Sequence, residues 1–220
     1  MKTASLLREE VIEELNARPS LSPAAIGVAV ENGVVTLSGY VDNFVQKREA
    51  SEAAKHVTGV RGLADEIEVR LPGLNLRSDS DIANAAQTSM EWNVSIPRNQ
   101  VQVTVENGWV TLTGSVSAYY QRMAAETTVR PLMGVRGLSN QILVQPSPAA
   151  ASDVRARIIS ALARNALVEA SRIRVLADGG RVTLEGSVHS WAERDAVSRA
   201  AWAAKGVTEV VNHLEVGLAD

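Results

Sequence analysis

Apolar positions along the chain keep two alternating periods. Leu7, Val11, Ile12 and Leu15 recur at helical spacing and predict a helix with one buried face. Ile26, Val28 and Val30 then alternate with small or polar residues, the period of a half-buried strand. Asn32-Gly33 follows, the dipeptide favoured where a tight hairpin needs positive φ at both turn positions. Val35 and Leu37 continue the alternation into a second strand. An alanine-rich stretch with Ala50, Ala53 and Ala54, opened by Asn43-x-x-Gln46, predicts a second helix, and Leu63 to Val69 a third strand.

The whole pattern occurs three times. Val35-Thr36-Leu37-Ser38-Gly39 returns as Val110-Thr111-Leu112-Thr113-Gly114 and as Val182-Thr183-Leu184-Glu185-Gly186, at offsets of 75 and 72 residues. Twenty residues after each closing glycine stands a Gly-Val pair, at Gly59-Val60, Gly134-Val135 and Gly206-Val207. Six residues past each of those glycines comes an Asx residue: Asp65, Asn140 and Asn212. Asn107-Gly108 and Gly179-Gly180 take the hairpin position. Self-similarity at a fixed period predicts a tandem array, here of αββαβ modules in an α+β fold, each a small three-stranded sheet with its helices on one face. The Pro-containing stretches at Leu71-Pro72-Gly73 and Gln145-Pro146-Ser147-Pro148 place the modules at 1–72, 73–146 and 147–220.

Composition narrows the chemistry. Hydrophobic residues are 45% of the chain but aromatics only 4%, so each core is small and packing between modules matters. The net charge of −3 supplies no general attraction to nucleic acid, and nucleic-acid partners are not expected. Without cysteine there are no disulfides, thiolate metal ligands or thiol nucleophiles. Only Leu6 and Leu7 precede the charged Arg8-Glu9-Glu10, short of the apolar core of a signal peptide, and the expectation is a cytoplasmic protein with no transmembrane segment.

With those residues laid out, the chain resembles the BON-domain family, named for bacterial osmotically inducible and nodulation proteins. The resemblance rests on the hairpin glycine, the Val-Thr-Leu-x-Gly strand and a basic residue eight positions later (Lys47, Arg122, Arg194), with the Gly-Val pair and the Asx after it. It implies a non-enzymatic protein of osmotic or envelope stress, and binding to phospholipid surfaces or to protein partners. Some relatives pair the domain with a LysM module and bind potassium, which implies a small-ligand or ion sensor as a further alternative; no LysM-like segment is present here. No cofactor and no metal are expected.

Candidate sites follow from the repeat and from its breaks. His56, His189 and His213 occupy unrelated repeat positions, so they do not converge as a metal site or triad would require. Ser190-x-x-Glu193 reads as a helix cap. The glycines Gly39, Gly114, Gly186, Gly59, Gly134 and Gly206, with Asp65, Asn140 and Asn212, are read as structural positions, the Asx residues bonding local backbone. Phe44, Tyr119 and Trp191 share one position and are read as core anchors. Trp109 has Val34 and Arg181 as equivalents, and alternation puts it on the face without helices, to pack on a neighbouring module or form a binding patch. Arg155, Arg157, Arg164, Arg172, Arg174 and Arg181 lie with only Glu169 and Asp178 among them, an arginine-rich stretch suited to carboxylate or phosphate. That stretch is the expected anionic contact surface, for a lipid headgroup or for the Glu-rich first helix (Glu9, Glu10, Glu13, Glu14), within one chain or by self-association.

Overall fold

The computed structural model of the chain describes residues 2–21, 25–145, 154–164 and 170–217. The linker from Pro146 to Ala151 and Glu169 lie outside the described residues. The first module runs α1 (Ala4–Asn16), β1 (Ile26–Glu31), β2 (Val34–Val41), α2 (Phe44–His56) and β3 (Gly62–Val69). The second runs α3 (Asp79–Trp92), β4 (Val101–Glu106), β5 (Trp109–Val116) and α4 (Tyr119–Val129), with its last strand in two pieces, β6 (Gly137–Asn140) and β7 (Leu143–Val144). The third runs α5 (Val154–Ala163), β8 (Ile173–Asp178), β9 (Arg181–Val188), α6 (Trp191–Ala203) and β10 (Glu209–Val216).

Local chemistry sets the element ends. The Thr3 hydroxyl accepts the Leu6 amide at the start of α1, and Ser78 and Asp81 form a reciprocal capping box on α3. Asn32 and Asn107 both hold φ of 51° beside a positive-φ glycine, as the hairpin dipeptides require; in the third hairpin Gly179 takes that role. Each hairpin pairs two strands antiparallel, and the second helix then crosses over to lay the last strand parallel on the other side of the middle one. The middle strand of every sheet therefore carries the densest packing: Val35 and Leu37, Val110 and Leu112, and Val182 and Leu184 are all fully buried. Leu7, Val11 and Leu15 of α1 cover them from one side of the sheet, as do Ile82, Ala86 and Met90 of α3, and Val154, Ile158 and Leu162 of α5.

The modules are not beads on a string. Helix α6 lies against both α2 and α4, and the aromatic residue at the start of each second helix reaches out of its own module. Phe44 packs on the core of the second module. Tyr119 stacks on Trp202 of the third, with ring centroids 4.8 Å apart and planes 13° from parallel. Trp191 packs on the core of the first. One contact repeated from first to second, second to third and third to first is the signature of a closed ring with approximate threefold symmetry. The reading of these rings as anchors of their own cores is thus corrected for Phe44 and Trp191, while Tyr119 packs on its own module's core as well as on Trp202. Ala50, Ala53 and Ala54, fully buried, bring α2 close to its sheet, and Phe44 belongs instead to the neighbour's core.

Candidate binding surfaces

The repeated positions form a bonded frame. Gly39, Gly114 and Gly186 hold φ of 111°, 120° and 124°, where the strand bends past the residue that enters the hairpin's first strand. A Cβ on these glycines would lie 2.1, 2.0 and 2.1 Å from the carbonyl oxygens of Ala25, Gln100 and Arg172, a separation closed to any side chain. Two residues after each Gly-Val glycine, a main-chain amide (Arg61, Arg136, Thr208) donates to the hairpin glycine's carbonyl at 2.7, 2.9 and 2.8 Å, locking the last strand to the hairpin. Each Asx oxygen accepts the amide two residues on, at Ile67, Ile142 and Leu214. Asp65 also takes the Ser51 hydroxyl at 2.6 Å, and Asn140 donates to the Arg122 carbonyl and to Glu126. The basic residue of each repeat crosses to the last strand: Lys47 donates to the Ile67 carbonyl, Arg122 to that of Asn140, and Arg194 to those of Asn212 and Leu214.

Ser190 caps α6 by accepting the Glu193 amide, while Glu193, almost fully buried, accepts the His189 amide and faces its Nδ1 at 3.0 Å. Asp81 is held below the usual carboxylate range by hydrogen bonds from the Ser78 hydroxyl and amide. Burial against the third module raises the Tyr119 hydroxyl above its ordinary value. Among the described residues, no three of His, Asp and Glu gather as a metal-holding group, and no helix is long and apolar enough to cross a membrane.

The arginines of the third module divide. Arg155, Arg174 and Arg181 line one shallow groove together with Asp178. Arg172 lines another with Glu185, His213 and Glu215. Arg157 donates to the Lys205 carbonyl, and Arg164 sits exposed at the end of α5. Arg174 faces Glu185 at 3.9 Å and Arg181 faces Glu209 at 3.7 Å, both cross-strand partners in register. Glu185 and Glu209 lie beyond the linear window in which the arginines outnumber acids, so the local excess is smaller than the sequence implies. Exposed pairs of this kind contribute little stability, about 0–1 kcal/mol. On α1, Glu10 pairs with Lys2 and Glu14 with Arg18, within their own module.

Trp109 is 53% exposed and lies flat over Gly137, its partner across the strands. Val34 lies over Gly62 in the same way, and Arg181 faces Glu209. One outer-face position thus carries an aliphatic residue on glycine, an indole on glycine and an ion pair. Elsewhere in the second module Leu76 and Met133 are exposed, Arg77 donates to the Met133 sulfur at 3.4 Å, and the Arg136 stem lies over Gly108 at the hairpin. The Arg77–Met133 contact was not legible in the sequence, because its partners stand 56 residues apart.

The fold is thus a closed ring of three small αββαβ modules joined by aromatic side chains. The family match fixes its membership: the BON domain covers residues 3–70, 78–146 and 150–217, and the chain belongs to the BON-domain family. It is 27% identical over 146 residues, covering 63% of this chain and 71% of the relative, to osmotically-inducible protein Y of Escherichia coli strain K12. Among solved structures it aligns with CdsD, a structural protein of the type III secretion system of Chlamydia trachomatis, at 15% identity over 96% of this chain and 92% of the other. That alignment has a TM-score of 0.27.

Proposed function

We propose that the protein is a non-catalytic binding scaffold of the osmotic or envelope stress response, working as one closed body that presents three chemically different faces. The observation that carries this is the divergence of a single repeat position on a shared frame, from Val34 over glycine to Trp109 over glycine to the Arg181–Glu209 pair. A half-exposed indole seated on glycine offers a rigid, amphipathic contact to a partner. Fixing several faces in one body raises effective concentration for a partner that touches more than one. Cross-linked capture from cells before and after osmotic upshift tests it. Wild-type protein should retain a defined partner set after upshift that Trp109→Glu loses while keeping its melting temperature. Identical capture by both proteins would sink the reading.

A second reading is contact with an anionic phospholipid surface. It is supported by the exposed Trp109, by the exposed Met133 whose sulfur accepts from Arg77, and by the groove of Arg155, Arg174 and Arg181. Co-sedimentation with phosphatidylglycerol vesicles should weaken with added salt and with Trp109→Ala, since headgroup attraction is screened. Co-sedimentation indifferent to both argues against a lipid face.

A further inference from the structure

Three sheets have six edges, and among the described residues five are plugged by a basic side chain. Arg8 of α1 donates to the outward carbonyl of Val28 on β1 at 2.9 Å, and Arg155 of α5 to that of Val175 on β8 at 3.2 Å. On the opposite edges Lys47, Arg122 and Arg194 donate to β3, β6 and β10. A charge placed on an edge carbonyl blocks another strand from pairing there. The sixth edge is β4. By the repeat offsets, Val103 corresponds to Val28 and Val175, and the residue corresponding to Arg8 and Arg155 is Ala83, which has nothing to donate. Gln87, one turn further along α3, is turned to Glu91 instead.

The geometry of β4 says which groups are open. The Gln100 carbonyl points toward β5, where it accepts the Ser115 amide. Alternation then turns the main-chain groups of Val101, Val103 and Val105 outward, while their side chains stay half-buried toward α3. Beside this edge runs a groove of about 1000 Å³ in which the apolar Met90, Trp92, Ile96 and Val103 stand among polar side chains that include Glu91 and Arg98. Trp92 is 84% exposed, and Ala17 and Arg164 take its place in the other modules. The outer-face neighbours along the edge, Gln102 and Thr104, are uncharged.

We infer that β4 accepts an extended polypeptide segment of another protein as an added strand. Alternating outward amides and carbonyls are matched by a strand backbone and by no lipid or helix, and the half-buried Val101, Val103 and Val105 suit aliphatic residues at every second position. The segment's other side chains would meet Gln102 and Thr104, so uncharged polar residues suit them. This names a partner class for the scaffold reading and rests on it; the capture experiment reads the Trp109 face, whereas the test below reads β4 alone.

The probe is a short fluorescein-labelled peptide of alternating valine and threonine flanked by lysines, followed by anisotropy with the full chain. Binding should slow hydrogen exchange at the Val101, Val103 and Val105 amides. Ala83→Arg grafts the plug of the other two modules and should weaken binding by about tenfold or more, with melting unchanged. Trp92→Ala should weaken it without touching the edge, and a peptide N-methylated at alternate residues should not bind. No binding by wild-type protein, or equal binding by Ala83→Arg, would overturn the inference. A concentration-dependent doubling of mass that Ala83→Arg abolishes, with no peptide bound, would overturn it too, by making a second copy the occupant.

Discussion

Replacing Gly114 by alanine puts the frame under a sharp test. Its φ of 120° is one that residues bearing a Cβ rarely adopt, and the new carbon would sit 2.0 Å from the Gln100 oxygen. The backbone conformation costs about 1–3 kcal/mol. Relieving the overlap means moving main chain, which costs about 1–3 kcal/mol more on the scale of overpacked cores. Lower entropy of the unfolded chain returns about 0.4–1 kcal/mol. A net loss of about 2–4 kcal/mol follows, well above the ~1 kcal/mol span of strand propensity. Because the first carbon makes the clash, Gly114→Val should be hardly worse than Gly114→Ala. Gly73→Ala is the control, since nothing lies within 4 Å of its Cβ position. Urea unfolding followed by circular dichroism gives the comparison. If alanine at Gly39, Gly114 and Gly186 is as neutral as at Gly73, the account of the strand glycines is wrong.

Two further outcomes concern the ring. Trp191→Ala removes the ring that the third module seats on the first and, the ring being only partly buried, should cost about 3 kcal/mol, the low end for such truncations, while X-ray scattering shows a larger radius of gyration; an unchanged radius would mean that the modules are held by other contacts. Burial raises the Tyr119 hydroxyl, so its contribution is full below the unfolded value of about 10 and is lost as pH climbs through the folded value. Stability should therefore fall in that alkaline window, and Tyr119→Phe should flatten the fall; an identical slope in both proteins would place the titration elsewhere.

Much of the fold was legible because each element is written three times. Helical spacing located Leu7, Val11 and Leu15 on the face that α1 buries, and the strand repeat located Leu37, Leu112 and Leu184. Ring closure was not legible, since an aromatic that fills its own core and one that fills a neighbour's look alike along the chain. The arginines misled for a related reason: Arg174 and Arg181 meet Glu185 and Glu209 across the sheet, and strand pairing takes no account of distance along the chain. The bare edge at β4 was hidden because its sign is an alanine, a residue that draws attention only once the side chains standing in its place elsewhere are known to bond.

Ring closure also sets a timetable at the ribosome. Domains fold as they emerge, at about 5–20 residues per second, so the first module is complete on the order of ten seconds before Trp191 has been made. During that interval the apolar seat that Trp191 will cover faces solvent, and Phe44 waits for the second module's core. A chain cut short after the second module keeps that seat bare for good. Quality-control proteases and chaperones that read exposed apolar surface thus have a mark for unfinished copies, and finishing the last helix erases it.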